Sequence, residues 1–500
     1  MSQSSCTMSD WAIRHDGRIA FVHMGGLGDL VLAAEFVARV KTAFPRMYLS
    51  LICRSEFASI EELLPIAPDE ILALPFNPYL WDAATQDLFS ALEPITAQLR
   101  DRATDFLLDG SLSATWFTWF LAAIMRPRHA ACSVAGSASG VILHDVLDHF
   151  GIAQPEIERI ESPPHLHERQ RYQFLADRVG CPPAASVRWS LPDGVRSLAC
   201  DWLERHALRE GRYVVCFPAT SDRAGLKRWH EANFVDVLNR LEHERNLPAV
   251  LLGSAAEQSD LERVARTTSR TTAVFSGHPR DLTFAAALLA LARVYLGNDS
   301  GPAHLAQAFG IPGVIVFGGG HPASFACWGA GSIGVLHPLP CFGCTWDCLL
   351  GHGLCVESVP VSAVTNAMHR ILDDQPSGPE MISTDTLDQR VKDVLTRANR
   401  RYRQAQLGLE RRLGVIVEMK VRIAILERAA AQRLEVIKRI DAEAELRAQL
   451  IRDLTQAVAD RDRIAAERLA LLESVHGEAD RRGKVIEELT DRLAVLTREA

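Results

Sequence analysis

Residues 294–317 read Val294-Tyr-Leu-Gly-Asn-Asp299-Ser300-Gly301-Pro302-Ala-His304-Leu-Ala-Gln-Ala-Phe-Gly310-Ile-Pro312-Gly-Val-Ile-Val-Phe317: a strand, a glycine turn, a helix and a second strand. Pro302 suits a first helical position, and Gly310 with Pro312 stops the helix before the next apolar run. A helix that starts at Gly301 points unpaired N–H groups and the positive end of its dipole at whatever lies over the turn. Gly301 would let an anion come close. Asp299 and Ser300 also suit a helix cap, so the segment alone fits either an anion site or a well-capped crossover.

The same alternation extends in both directions. Upstream, β-like runs occur at Ile19–Val22, Tyr48–Cys53, Glu70–Leu74, Phe106–Leu108 and Ala130–Val134, with a helical pattern at Leu30–Lys41. A Pro-, His- and Arg-rich stretch at Ser162–Arg169 and the prolines at 182, 183 and 192 interrupt it. A second series follows at Tyr213–Phe217, Ala249–Leu252, Ala273–Phe275, Val294–Leu296 and Val314–Phe317. Strands separated by helices imply parallel sheets covered on both faces. Two such halves facing across a cleft would hold ligands at the carboxyl ends of their strands. The predicted organisation is a leader at 1–17, an α/β domain with linker at 18–200, a second at 201–375 and a helical tail at 376–500.

With 500 residues, 48% of them apolar, the chain can build more than one core. A formal net charge of −8 argues against a nucleic-acid partner. Residues 1–17 lack the apolar run of a signal peptide, and Ala114–Met125 and Phe284–Ala292 are too short to span a bilayer. A cytoplasmic protein is expected, with contact at the inner membrane face left open, and its eleven cysteines are expected to be reduced.

After Pro379 proline disappears and Ala, Leu, Glu and Arg dominate. Every seventh residue from Ile416 to Leu493 is apolar, and a second series three residues on runs from Met419 to Leu496. This heptad predicts a coiled coil, and with it self-association of the chain. Arg433, Arg447, Arg461, Arg468 and Arg482 dilute the second series, which makes the seam weak and partner-selective.

Two further segments carry chemistry. The first strand runs into Met24-Gly25-Gly26-Leu27-Gly28-Asp29, a glycine turn with one carboxylate that fits either a base at the cleft or a helix cap. The first strand of the second series runs into Pro218-Ala-Thr220-Ser221 and on to Lys227-Arg228-Trp229. Its hydroxyls could donate to phosphate oxygens and its lysine could act as a point charge, or the loop is merely solvated.

Together, Gly25–Asp29, Lys227-Arg-Trp229 and Asn298-Asp-Ser-Gly-Pro-Ala-His304 with Gly310-Ile-Pro312 and Phe317-Gly318 resemble glycosyltransferase family 9, the ADP-heptose:lipopolysaccharide heptosyltransferases. The resemblance covers residues 18–373. It implies a GT-B fold, two Rossmann-like domains with the acceptor on the first and the nucleotide sugar on the second. It also implies inverting transfer of heptose from ADP-heptose to a glycan or glycolipid hydroxyl, without a catalytic metal. By the same resemblance Asp29 is the general base and Lys227 steadies the diphosphate, with Gly26, Gly28, Thr220, Ser221, Asp299, Ser300, Gly301 and His304 in donor binding. Five residues separate Ser221 from Lys227, which leaves the hydroxyl roles open.

Cys341, Cys344, Cys348 and Cys355 lie close enough in sequence for a structural zinc or iron site, although the second pair is not Cys-x-x-Cys. Buried or surface thiols are the alternative, with His352 a loop residue or a substitute ligand. Trp116, Trp119 and Phe120 read as core rather than as an acceptor platform. Other functional readings are a transferase using a different nucleotide sugar or a protein acceptor, and a scaffold that binds without catalysing.

Overall fold

A computed structural model describes residues 17–78, 88–100, 102–111, 115–132, 140–163, 166–183, 189–219, 222–268, 272–277, 282–344, 348–374, 376–384, 387–405 and 444–496, with 415, 419 and 426. Thr220 and Ser221 lie outside the described residues.

The first lobe comprises β1 (Arg18–His23), α1 (Leu27–Ala43), β2 (Tyr48–Arg54), β3 (Glu70–Leu74), α2 (Leu88–Leu99), β4 (Phe106–Asp109), α3 (Trp116–Met125), β5 (His129–Cys132), α4 (Gly140–Phe150), β6 (Glu158–Arg159) and α5 (Glu168–Arg178). Among the described residues its strands form one sheet in the order β3-β2-β1-β4-β5-β6, with parallel pairings. Residues 19–23 of β1 are all buried, as expected of a strand covered by helices on both faces.

The second lobe comprises α6 (Asp193–Arg205), β7 (Val214–Phe217), α7 (Glu231–Arg245), β8 (Ala249–Ser254), α8 (Gln258–Thr267), β9 (Thr272–Gly277), α9 (Leu282–Ala290), β10 (Val294–Asn298), α10 (Gly301–Ala308), β11 (Gly313–Phe317), α11 (Pro322–Phe325), β12 (Ser332–Leu336), α12 (Leu354–Glu357), α13 (Val361–Asp374) and β13 (Glu380–Ser383). Its sheet runs β13-β12-β11-β10-β7-β8-β9, again with parallel pairings. Both sheets are thus doubly wound, with strand order reversing between β1 and β4 and between β7 and β10.

The predicted strands are present with ends moved by one or two residues. β6, β12 and β13 were not anticipated. β6 has two residues, too few for a period to show. Ser332–Leu336 contains a glycine, and Glu380–Ser383 is an edge strand with alternate exposure. β13 extends the second sheet past residue 375, the expected end of that domain, so the first compact unit runs on to Leu387.

One apolar cluster continues through both lobes. It joins Phe21, Phe36 and Tyr172 to Leu288, Tyr295, Leu305 and Ile315 by way of α1, α5, α9 and α10. A separate cluster around Trp229, Phe234, Val316 and Met368 fills the other face of the second sheet. Trp116, Trp119 and Phe120 are buried on α3, so they are core.

The tail forms a second compact unit with residues 388–394. Its described helix, Ala444–Leu496, leaves Ile451, Val458, Ile464, Leu469, Leu471 and Val485 exposed. The side chains of Arg468 and Met419 touch. Most of the predicted heptads before residue 444 lie outside the described residues. Among the described residues no helix is long and apolar enough to cross a membrane.

Candidate active site

The residues singled out in sequence converge on the two switch points. The loop after β1 enters α1, whose first turn carries Asp29. Asp29 accepts from the Gly26 N–H through Oδ2 at 3.1 Å, so this carboxylate does cap its own helix. In the second lobe Asn298 ties the ends of β7 and β10 together. Its Nδ2 donates to the Pro218 carbonyl at 2.9 Å and its Oδ1 accepts from the Trp229 N–H at 3.0 Å. The fully buried Trp229 also donates from Nε1 to the Val359 carbonyl at 2.9 Å. These bonds hold the Lys227-Arg-Trp229 segment beside the β10–α10 turn, a juxtaposition of residues about 70 apart in sequence.

Lys227 reaches Asp299 twice, with Nζ 3.4 Å from the carbonyl oxygen and 3.6 Å from Oδ2. His304 Nε2 lies 3.9 Å from the other carboxylate oxygen. Asp299 is therefore a bridge between cation and imidazole rather than a helix cap. Ser300 occupies the position before α10, but its hydroxyl donates to the Asn298 carbonyl at 3.2 Å and makes no side-chain cap. The first N–H groups of α10 thus have no side-chain cap from Ser300, which suits an anion.

Burial lowers the pKa of His304, with Lys227 acting in the same direction and Asp299 and Asp29 against it. The imidazole therefore senses the carboxylate of the first lobe and the ammonium of the second. The two lobes meet here. A Cβ at Gly28 would fall 2.7 Å from His304 Cδ2 and 3.2 Å from the Gly301 Cα, and one at Gly301 would fall 2.9 Å from Leu27 Cβ. On that side, the space the sequence reading reserved for an anion beside Gly301 is taken by the opposite lobe. These glycines let α1 and α10 touch.

A buried polar cluster under Asp29 was not read from sequence. His23 Nε2 is 2.7 Å from the Tyr172 hydroxyl. Burial pushes the His23 pKa down to about 4, and its Nδ1 has no hydrogen-bond partner. Arg171 pairs with Glu168 at 2.6 Å and donates to the Gly110 carbonyl at 3.0 Å. Asp109 accepts from the Ser111 N–H at 2.7 Å and from the Thr118 hydroxyl, while burial raises its pKa. His23 ends a strand, and Glu168–Tyr172 opens a distant helix. Only the fold joins them.

Among the described residues no group of three or more His, Cys, Asp or Glu is arranged to hold a metal ion, so the structural zinc or iron expectation finds no support. Cys341 and Cys344 are buried, Cys348 donates to the His352 carbonyl at 3.1 Å, and burial followed by the neighbouring sulfurs raises Cys355 to about 12. A thiol held that high keeps its proton. His352 is exposed and lies 3.2 Å from Glu357.

A model of glycosyltransferase family 9 (heptosyltransferase) matches residues 95–347. Among solved structures, the chain is similar to a family 9 glycosyl transferase from Veillonella parvula, with TM-score 0.57 and 17% identity over 71% of this chain and 97% of that one. It is similar to the E. coli ADP-heptose LPS heptosyltransferase II, with TM-score 0.52 and 15% identity over 71% and 98%. An E. coli heptosyltransferase solved with ADP-2-deoxy-2-fluoro heptose gives TM-score 0.50 and 17% identity over 71% and 99%. At these identities the structural likeness establishes the shared fold. No curated protein matches the sequence.

Proposed function

The chain belongs to glycosyltransferase family 9, and from that premise we propose that it moves heptose from ADP-heptose to a hydroxyl of a lipopolysaccharide core or another glycan, with inversion. The observation that carries the reading is that the α1 start bearing Asp29 lies against His304 at Gly28, while Asp299 in the other lobe joins His304 to Lys227. Asp29 takes the acceptor hydroxyl proton as the oxygen attacks the anomeric carbon. The bond from that carbon to the diphosphate oxygen breaks on the opposite side. Lys227 and the first N–H groups of α10 meet the negative charge that the departing ADP gains. Binding energy spent there acts where charge develops, which raises the rate rather than merely the affinity.

The test is mass spectrometry of a reaction holding the full-length protein, ADP-heptose and a heptose-accepting core oligosaccharide, beside a panel of other nucleotide sugars. Heptose addition with ADP release is the expected result. Product formation only from another nucleotide sugar would replace the donor, and binding without product from any donor would leave a scaffold. Among the described residues no cysteine forms a disulfide, in keeping with a reducing compartment, and we propose a cytoplasmic enzyme.

For the tail we propose pairing with a second copy through its apolar positions. The exposed Ile451 and Val458, both in the first heptad series, support this, since a lone solvated helix gains nothing from them. A chain ending after Tyr402 should scatter light as a monomer where the full chain is a dimer; a shortened chain that is still dimeric would end the idea.

A further inference from the structure

A contact outside all the sequence motifs bears on His304. Trp328 lies in the turn after α11, with its indole Nε1 3.3 Å from His304 Nδ1. The turn is fixed from below, because the N–H groups of Trp328 and Gly329 donate to Oε1 of the buried Gln307 at 2.6 and 2.9 Å. Gln307 Nε2 in turn donates to the Ala303 carbonyl at 3.0 Å. Above the ring lies the first lobe: the Arg169 guanidinium carbon is 4.8 Å from the ring centroid. Arg169 Nε donates to Glu35 on α1 at 2.7 Å, and Gln173 donates to the other oxygen of Glu35 at 2.6 Å. Two residues before Arg169, His167 donates from Nε2 to the Ala326 carbonyl at 2.9 Å, a hydrogen bond across the lobes.

An indole N–H can only donate, so the imidazole nitrogen it meets must present a lone pair. In a neutral His304 that leaves the proton on Nε2, the nitrogen facing Asp299. We propose that Trp328 is a positioning residue that fixes His304 as an Nε2–H donor toward the nucleotide-sugar side, and that Arg169 makes this arrangement depend on closure of the two lobes. Its place in turnover rests on the transferase reading above; the tautomer itself does not.

The chemistry has a built-in consequence. A proton arriving at Nδ1 would confront the indole N–H, so the contact holds the ring neutral, in the same direction as its burial. The charged and titratable groups facing His304 are Asp299 on its own loop, Asp29 on α1, Lys227 on the loop after β7, and His167 with Arg169 on the α5 side. Arg169 over the indole adds a positive charge from the first lobe on the Trp328 side of the ring.

The test uses the full chain labelled with 15N-histidine, with the His304 signals identified by their loss in His304→Gln. In the wild type, Nε2 should show the protonated and Nδ1 the unprotonated nitrogen shift. Trp328→Phe keeps a ring for Arg169 to cover and removes the donor. It should move His304 toward mixed tautomers, raise its titration midpoint and lower kcat roughly 3- to 10-fold with KM for the nucleotide sugar little changed. Arg169→Ala should shift the tautomer in the same direction, with Arg169→Lys restoring part of it. An unchanged tautomer in Trp328→Phe overturns the proposal, whether or not kcat falls, because a fall alone would then be structural. A shifted tautomer in a protein that transfers no sugar would support the proposal and defeat the transferase reading separately.

Discussion

The two switch points share a topology and differ in chemistry. Beneath Asp29 the first lobe buries His23 bonded to Tyr172, Arg171 paired with Glu168, and Asp109 held by Ser111 and Thr118. At the β7 and β10 ends the second lobe instead presents a cation, a carboxylate, an imidazole and the start of a helix. On the proposed reading, one lobe supplies the proton acceptor and the other meets negative charge. Identical strand order therefore supplies position only, and the side chains at the strand ends supply the division of labour.

The largest test of that division is Asp29→Asn. Turnover should fall roughly 10²- to 10⁴-fold while nucleotide affinity, measured by calorimetry, stays close to wild type. Equal losses in both would assign Asp29 to the donor side and erase the contrast. Lys227→Ala is the mirror case, with affinity for ADP expected to weaken about 10- to 100-fold, the range for removing a charged hydrogen-bonding partner. Retained ADP affinity would show that the cation serves Asp299 alone.

Gly28→Ala probes the seam between the lobes. Alanine is a better helix former than glycine, so a loss has to come from the contact with His304 and Gly301. A roughly tenfold fall in activity is expected from overpacking and displacement there. Gly194→Ala on α6, where a new Cβ meets no atom within 4 Å, serves as the harmless control.

The smallest effect concerns the buried network and is read as stability against pH. The folded protein holds His23 near 4 against an ordinary value of 6.5, so between those pH values the unfolded chain binds the extra proton. This contribution to stability is complete above about 6.5 and is lost as pH falls toward 4. His23→Gln should flatten that part of the unfolding profile, measured by chemical denaturation; an unaltered slope would remove His23 as its source.

Much of the fold was legible because parallel strands covered on both faces must be continuous apolar runs, and Ile19–Val22, Val294–Leu296 and Val314–Phe317 are such runs. β6 and β13 were not, since short or edge strands carry no such requirement. Asp29 and Asp299 were legible as candidates because polar residues closely following a strand in an α/β chain sit at the ligand end, while the roles of Lys227 and His304 came from the family resemblance. Gly28 and Gly301 were noticed for a different reason from the one the structure gives. A sequence shows that a glycine permits close approach, but it does not show what approaches. Arg169, Trp328 and His23 gave no signal, because lone aromatic, basic and imidazole residues in ordinary contexts are indistinguishable from core or surface.

The amino-acid order alone determined two doubly wound halves, the family motifs and a helical tail, since hydrophobic period, helix punctuation and turn chemistry are local properties. Tertiary structure decided which groups face each other. Asn298 draws Lys227 to Asp299, two glycines bring α1 against α10, and Trp328 under Arg169 sets the hydrogen on His304. Those contacts join residues far apart in the chain, and their energies depend on distance and burial, quantities that exist only once the chain has folded.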